Sequence, residues 1–409
     1  MRRFVPLVPF QLVPSRPLHI LARLVGTALA ALLLAPALAA QNAPAPATPP
    51  TPERTIQFSG LVLVNGFFIN ARVNNSDVPQ LALADTSDAA ASGGTIRQTR
   101  LGVLLTDPAV LGGSFSGELD VDFFGGQQPS SGGRTFPLLR VRRAVGTLQW
   151  THSQFLFGQE SPLVAERSPR SLASVGFPDF AGAGNLWLWT PQARFSFETG
   201  YSLRVALQGA VLAPISGTPQ TTFTTQPDSA ERSRRPSLEG RLRFGWGPAD
   251  DPNEIAIGGH LGWSRSDSVG GDSLIDSRAI TADARVAFGP FEIIGEFFNG
   301  QAIAGLGGGG IGQNLAAGGD ALRSQGGWAQ INFSGLRHVI FGAGCGVDDP
   351  DDRDVPAGGR LQNVVCEGHF EWRPPGPLVF GSEYRRFTTR YTSGDFTASQ
   401  VNVAAGFRF

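Results

Sequence analysis

The sequence predicts an all-β protein: a transmembrane antiparallel up-and-down β-barrel of about 16 strands, with short periplasmic turns and long external loops. Three observations predict this fold. From Gln57 onward, apolar and polar residues alternate through most segments, which puts successive side chains on opposite faces of strands. The connections between these segments are alternately long and short. Beyond the N-terminal region, no apolar run reaches the roughly 18 residues that a membrane-spanning helix needs.

The composition limits the function classes. Of the 409 residues, 53 are Gly and 30 are Pro, and only 16% are charged. All 33 basic residues are arginine, and the formal net charge is −1. This charge argues against nucleic-acid binding, which normally needs a basic face. The sequence contains no G-x-S-x-G, H-E-x-x-H or P-loop motif, and we predict no enzyme activity, no cofactor and no metal site.

The N-terminal region predicts export. Residues 1–39 are interpreted as a signal peptide, because arginines precede an apolar stretch and the small-x-small sequence Ala37–Ala39 follows it. A retained membrane anchor is the alternative, which the short apolar run disfavours. Residues 40–56 are rich in Ala and Pro and predict an extended periplasmic tail. Residues 57–409 are then the transmembrane barrel domain.

Alternation is clearest in residues 115–123, 238–246 and 255–264. A soluble β-sandwich shows the same pattern. Here, however, acids and arginines line one face and aromatic residues mark the strand ends, which favours a barrel in a membrane. The predicted strands cover residues 57–70, 94–106, 113–124, 137–150, 152–159, 185–199, 201–213, 236–247, 253–266, 276–288, 290–300, 324–334, 337–346, 360–373, 376–388 and 396–409.

The connections predict the orientation of the barrel. Short ones carry turn residues, as at Thr106–Pro108, Gly289–Pro290 and Ser334–Gly335. Membrane barrels have tight periplasmic turns and long external loops, so an even strand number puts both ends of the barrel on the periplasmic side. The long connections, rich in Gly, Ser and Asp, cover residues 71–93, 125–136, 160–184, 214–235, 301–323 and 347–359.

The seven tryptophans are expected in girdles at the two membrane interfaces, where an amphipathic ring sits at headgroup level. Ordinary core positions are the alternative. The tryptophans are Trp150, Trp187, Trp189, Trp246, Trp263, Trp328 and Trp372.

The last predicted strand ends with the segment Val401–Phe409, which has apolar residues on one face and an aromatic residue at its end. In this respect, and in its strand and loop pattern from Gln57 to Phe409, the chain resembles the bacterial outer-membrane porins with about 16 strands. Four short stretches look like porins that take up phosphate or dicarboxylates. They are Thr99–Gly102, Gly158–Gln159, Trp189–Phe195 and Gly327–Gln330.

The resemblance implies several properties. The chain would lie in the bacterial outer membrane, among its lipid and lipopolysaccharide, and pass small hydrophilic solutes. Phe407 and Phe409 would form the assembly signal read by the barrel-assembly machinery, and the protein would be a homotrimer. Porins commonly fold the third external loop inward, which implies a constriction role for Ser161–Gly184 with Glu166, Arg167, Arg170 and Asp179. Because the chain has no lysine, any cationic track along the pore is arginine.

Selectivity in a wide barrel comes from rings or opposing patches of charge at its narrowest point. Alternation puts many charged side chains on the inner face, where each one either contacts solute or only braces the wall. Three arginines in Arg140–Arg143 break the alternation and predict a bulge. The lumen candidates are Arg97, Arg140, Arg142, Arg204, Arg241, Arg243 and Arg285 among the cations, and Glu118, Asp120, Asp122, Glu239, Asp283, Glu292 and Glu296 among the anions.

Two further features concern the loop at 347–359. Cys345 and Cys366 flank it, and an exported chain can bridge them in a disulfide; two thiols on the lipid-facing wall are the alternative. The loop also holds five aspartates between Asp348 and Asp354. Their spacing does not match a calcium-binding loop, so a solvated acidic loop is expected.

Three function classes fit this sequence: a passive diffusion channel for small hydrophilic solutes or ions, a membrane-embedded barrel enzyme, and a structural or adhesin barrel. An enzyme needs a nucleophile and a base close together, and nothing in the sequence pairs Ser with His. We therefore expect a channel.

Overall fold

The computed structural model describes residues 53–126, 137–217, 226–266 and 273–409, apart from Thr86 and Asp88. The predicted signal peptide and most of the predicted tail lie outside the described residues. The strands are β1 (Thr55–Ile69), β2 (Ala91–Thr95), β3 (Arg100–Val110), β4 (Gly113–Asp122), β5 (Arg140–Gln149), β6 (Ser153–Glu160), β7 (Thr190–Gly200), β8 (Leu203–Leu212), β9 (Ser237–Trp246), β10 (Asn253–Ser266), β11 (Ser273–Phe288), β12 (Phe291–Gln301), β13 (Arg323–Leu336), β14 (Val339–Pro350), β15 (Arg360–Trp372), β16 (Leu378–Tyr391) and β17 (Gly394–Arg408).

These strands close into one antiparallel barrel. β2 and β3 both pair with β1, each strand from β3 onward pairs with the next, and β17 pairs with β1 in a register that puts Val64 opposite Ala405. β2 and β3 follow one another along β1 and share one strand position, so the barrel has 16 positions, as the sequence predicted. Closure pairs the backbone groups that an open sheet would leave at its edges.

In the described part of the chain, no helix is long and apolar enough to span a membrane.

The inner and outer faces follow the alternation of the sequence. Apolar residues such as Leu207, Ile257 and Phe297 are exposed on the outer wall. Charged residues on the opposite face of the strands, such as Asp120 and Arg241, are buried inside the barrel. The predicted bulge is also present, because Asp120 is opposite Arg143 and Val121 is opposite Val141, which leaves Arg142 as the extra residue.

The predicted strand 94–106 is interrupted at residues 96–99. Thr99 accounts for part of the break, because its hydroxyl accepts a hydrogen bond from the Leu63 amide at 3.1 Å. Gln98 accounts for the rest: its side chain leaves the wall and donates to the Ala173 carbonyl at 2.7 Å. At residues 96–99, hydrogen bonds of side chains thus replace the regular backbone hydrogen bonds between strands.

Three predicted boundaries differ from the structure by four residues or more. The turn predicted at Thr106–Pro108 lies within β3, and the chain reverses at Leu111–Gly112, which both have positive φ. An irregular register after Asp107 accommodates the proline, which has no N–H for the ladder. β14 extends to Pro350, so the loop predicted at 347–359 begins at Asp351. β7 begins at Thr190, five residues later than predicted.

The girdle prediction is wrong for three tryptophans. Trp328 is 3% exposed, because its ring stacks inside the barrel on Phe180 at 5.6 Å between centroids. Trp187 is 9% exposed and packs edge-on against Trp189 at 5.2 Å. Trp189 in turn lies beside the inner-wall Arg142, 4.6 Å from the guanidinium.

The apolar core lies between the barrel wall and the segments folded against it. One cluster joins Phe180 and Ala183 to Trp328, Val365 and Phe387. Another includes Val164, Leu186, Phe298 and Leu306. Both clusters contain residues from the connection between β6 and β7, so burial of apolar side chains holds that connection inside the barrel.

Candidate functional site in the barrel lumen

The connection between β6 and β7, residues 161–189, lies inside the barrel and is called the inner loop here. Its first half follows the wall, because inward-facing polar side chains bind its backbone. Glu239 accepts from the Leu163 amide at 2.6 Å, and Glu296 accepts from the Arg167 amide at 2.9 Å. Gln330 binds both backbone groups of Arg170, at 2.8 and 2.9 Å.

The path continues around the opposite wall. Asn65 donates to the Leu172 carbonyl at 2.9 Å, and the Gly176 amide donates to Gln98 at 2.7 Å. The Gly176 carbonyl then accepts from Arg140 at 2.7 Å. The inner loop therefore contacts β9, β12, β13, β1 and β5 in turn, and many polar wall residues bind loop backbone.

Glu166 and Arg167 of the inner loop join a continuous ion-pair network. Glu166 pairs with Arg194 and, at 2.7 Å, with Arg241. Arg167 pairs with Glu254 at 2.5 Å and with Asp283 at 2.7 Å. Arg241 is fully buried and also pairs with Asp283, at 2.8 Å, so the two loop residues are linked through the wall.

Four arginines of β3 and β5 form the facing wall. Asp120 pairs with Arg100 at 2.5 Å, and Asp122 pairs with Arg140 at 2.6 Å. Arg143 pairs with Glu118 at 2.6 Å and with Glu160 at 2.5 Å.

Arg142 differs from these neighbours. Its Nε lies 3.6 Å from Asp120 and 3.7 Å from Asp122, beyond hydrogen-bond reach. Within the described residues, its Nε and Nη1 have no hydrogen-bond partner. The bulge explains this geometry, because the extra residue is out of register with the acids on β4. Arg142 therefore offers buried donors to whatever occupies the space beside it.

Two cavities lie beside the inner loop. One, of about 380 Å³, is lined by Arg100, Arg142, Arg194 and Trp189. The other, of about 430 Å³, is lined by Arg170, Arg285 and the periplasmic turn at Asp251–Pro252. Both are also lined by Arg167 and Ser168.

Of three further predicted site residues, Arg243 and Arg170 lie beside the ion-pair network and Arg204 does not. Arg243 pairs with Glu198 and, at 3.1 Å, with Glu254. Arg170 is 3.8 Å from Glu292. Arg204 lies at the periplasmic rim, where it donates to the carbonyls of Gly247 and Pro248, so the structure does not bring it to the inner loop.

Asp179 lies at the far end of the inner loop and pairs with Arg385 at 3.0 Å. Burial raises the pKa of its carboxyl, and the charge of Glu367 adds to this, against the lowering effect of Arg385.

The aspartates near the external rim are paired with protein groups. Asp348 is buried and accepts from the amides of Gly310 and Ile311, at 3.1 and 2.9 Å. Asp354 binds Arg323. Asp351 has its pKa lowered to about 2, because Arg353 donates to its carboxylate through both the side chain and the backbone. Asp352 and Arg353 are exposed, so the acidic loop is solvated, as expected, and its charges are also paired within the protein.

Cys345 and Cys366 are joined by a disulfide, with an S–S distance of 2.14 Å. They are directly opposite one another on β14 and β15. Phe407 is exposed on the outer wall, and the Phe409 amide donates to the Gly60 carbonyl at 3.2 Å.

Sequence reasoning missed several members of this site: Arg100, Arg143, Glu160 and Arg194. Arg194 faces the lumen on β7 because alternation puts it on the same face as Gln192. The alternation of inward-facing and outward-facing residues along β7 therefore could have predicted its position. Its pairing with Glu166 depends on the path of the inner loop, which has no periodic pattern.

Comparison with known structures finds the same architecture. The outer-membrane channel DcaP of Acinetobacter baumannii is 17% identical, with a TM-score of 0.66, over 87% of this chain and 97% of that one. The anion-selective porin from Comamonas acidovorans is 12% identical, with a TM-score of 0.56, over 87% and 100%. OprB of Pseudomonas putida is 10% identical, with a TM-score of 0.52, over 87% and 94%.

No family model and no curated protein sequence matches the chain. The likeness is one of fold: a closed barrel of the kind found in the bacterial outer membrane.

Proposed function

We propose that this chain, which has the fold of the outer-membrane porins, forms a water-filled channel for passive diffusion of small hydrophilic solutes or ions. In this proposal the inner loop sets the narrowest section. The observation that carries it is the pair of lumen cavities that are both lined by Arg167 and Ser168 of the inner loop.

The charges beside the inner loop favour anions. Acids of the loop and wall are held by arginines, as Glu166 is by Arg194 and Arg241, whereas Arg142 keeps unpartnered donors within the described residues. A charge in a narrow, partly desolvated passage acts at a low effective dielectric constant, so its effect on a passing ion is large.

Single-channel recording in a planar bilayer tests this proposal. We expect discrete conductance and, in a salt gradient, a reversal potential that indicates preference for anions. Replacing both Arg140 and Arg142 by Gln should shift that potential toward cations. Arg204→Gln is the matched control, because Arg204 lies at the periplasmic rim.

Shortening residues 168–176 of the inner loop should raise conductance. Absence of conductance would contradict the channel and favour a barrel enzyme or an adhesin. If both changes leave conductance and reversal potential unaltered, the constriction is not at the inner loop.

We propose the partners that the porin resemblance implies: outer-membrane lipid and lipopolysaccharide around an apolar wall, the barrel-assembly machinery during insertion, and two further copies in a homotrimer. Native mass spectrometry of the detergent-extracted protein measures the last of these. A monomer mass would contradict the trimer and leave the channel proposal standing.

A further inference from the structure

A buried cluster on the inner wall has no role in the proposed channel. Glu367 and His369 lie on β15, and Glu383 lies on β16 directly opposite His369. All three face the interior and are buried. Their nearest ligand-type atoms, one from each side chain, all lie within 4.8 Å of one another.

The charges around this cluster do not balance. Asp179 of the inner loop also approaches it and shares Arg385 with Glu383, at 3.0 and 3.1 Å. Glu367 receives a hydrogen bond from Gln330 at 3.0 Å and has His369 beside it. Two buried carboxyl groups therefore share one guanidinium, and Glu367 beside them has no arginine partner among the described residues. Carboxylates in such surroundings need protons or another cation.

His369 also has an unpartnered ring nitrogen, on the side of its imidazole that faces Gly342 of β14. His369 Nδ1 lies 3.0 Å from Glu367, whereas its Nε2 has no partner among the described residues, although His369 is only 8% exposed. Asn332 Oδ1 is likewise unpartnered in the described chain. A Cβ on Gly342 would lie 2.5 Å from each of these two atoms, so the glycine keeps space between them.

A small cavity of about 10 Å³ lies beside the cluster, lined by His369, Glu383 and the inner-loop residues Leu172 and Ala173. This is room for roughly one water-sized body. Ser171 closes the cluster from the loop side, since its hydroxyl donates to Glu383 at 2.6 Å.

We propose that Glu367, His369 and Glu383 bind a divalent cation of the zinc class and that this ion fastens the inner loop to the wall at Ser171. One imidazole and two carboxylates are ligands that Zn²⁺ accepts, and a neighbouring water or hydroxyl can complete a tetrahedral set. The ion supplies the positive charge that Arg385 alone does not, and it holds Glu383 where Ser171 reaches it.

The experiment measures zinc on the purified barrel in detergent. The protein is stripped with EDTA, mixed with ZnCl₂, and assayed by mass spectrometry for bound zinc and by competition with a chelating dye for affinity. We expect one zinc per chain. His369→Gln should weaken binding by about tenfold or more, as loss of a ligand or its orienting partner does in other sites.

His260→Gln is the matched control, because His260 also faces the interior and bonds a glutamate, Glu239, at 2.9 Å. It should bind zinc as the wild type does. Folding of each variant is checked by heat-modifiable migration in gels. If His369→Gln does not fold, Glu367→Gln decides in its place.

A wild type that binds no zinc overturns the proposal, as does equal affinity in the wild type and the His369 variant, which would put the ion elsewhere. Conductance is recorded separately, so failure here leaves the channel proposal untouched.

Discussion

Arg241 shows how a single buried charge is held in this protein. Its side chain is fully buried and binds Glu166, Asp283 and Gln208. Desolvating a charge is costly, and such a group persists in a folded protein because its partners satisfy it. Removing the guanidinium leaves the buried carboxylates without a charge partner. This destabilises the folded state by more than the ion pair itself stabilises it.

We therefore predict that Arg241→Ala destabilises the barrel by about 3–5 kcal/mol. Equilibrium unfolding in urea, followed by tryptophan fluorescence, measures this. Arg278→Ala is the control, because Arg278 is exposed and lies 3.7 Å from Asp276. Exposed pairs contribute about 1 kcal/mol or less. Equal effects of the two substitutions would refute a structural role for the buried network.

At the scale of an element, the inner loop depends on close backbone approach. Gly184 has a φ of 96°, and a Cβ there would lie 2.3 Å from the Gly327 carbonyl oxygen on β13. Only glycine meets both conditions, because the dihedral disfavours other residues and the wall leaves no space. This contact helps to fix the distal half of the loop against the barrel.

We predict that Gly184→Ala loosens this half of the loop, so that protease cleaves the folded barrel within residues 161–189, where it does not cleave the wild type. Gly289→Ala is a matched control. Gly289 also has a positive φ, 57°, but a Cβ there meets nothing within 4 Å. The control substitution therefore adds only the strain of a positive φ, without a steric clash. The contact has no anchoring role if both variants resist protease as the wild type does.

At the scale of the whole molecule, the barrel closes where its two terminal strands meet. β17 pairs with β1 from Leu61 to Ile69, and Gly60 and Phe409 exchange two backbone hydrogen bonds, at 3.1 and 3.2 Å. The Phe409 ring also occupies the space that a Cβ on Gly60 would take. The last residue thus completes the seam.

We predict that deleting Phe409 lowers the amount of folded protein in the outer membrane. The deletion removes the end of the seam, and it also removes the terminal aromatic residue to which the porin resemblance assigns a role in assembly. Heat-modifiable protein in isolated outer membranes is the measurement. Phe291→Ala, which removes an exposed aromatic from another periplasmic turn, is the control. Normal levels of the truncated protein would contradict the assembly role.

The sequence by itself determined the class of fold, the faces of the strands and most of the connections. Alternation has a period of two residues, so it is visible within any one strand, as from Phe115 to Phe123. Even the bulge at Arg142 follows from a local break in that period. The lumen position of Glu118, Asp120, Arg140 and Arg243 follows from the same rule.

Only the tertiary structure decided which of these charges meet. Arg241 is 75 residues from Glu166 and 42 from Asp283, and nothing in their neighbourhoods encodes the pairing. Trp328 has the sequence surroundings of an interfacial residue, yet it is buried under Phe180. The reason is physical: the path of the inner loop is set by contacts with β1, β5, β9, β12, β13 and β16 at once, and these exist only after the barrel has closed.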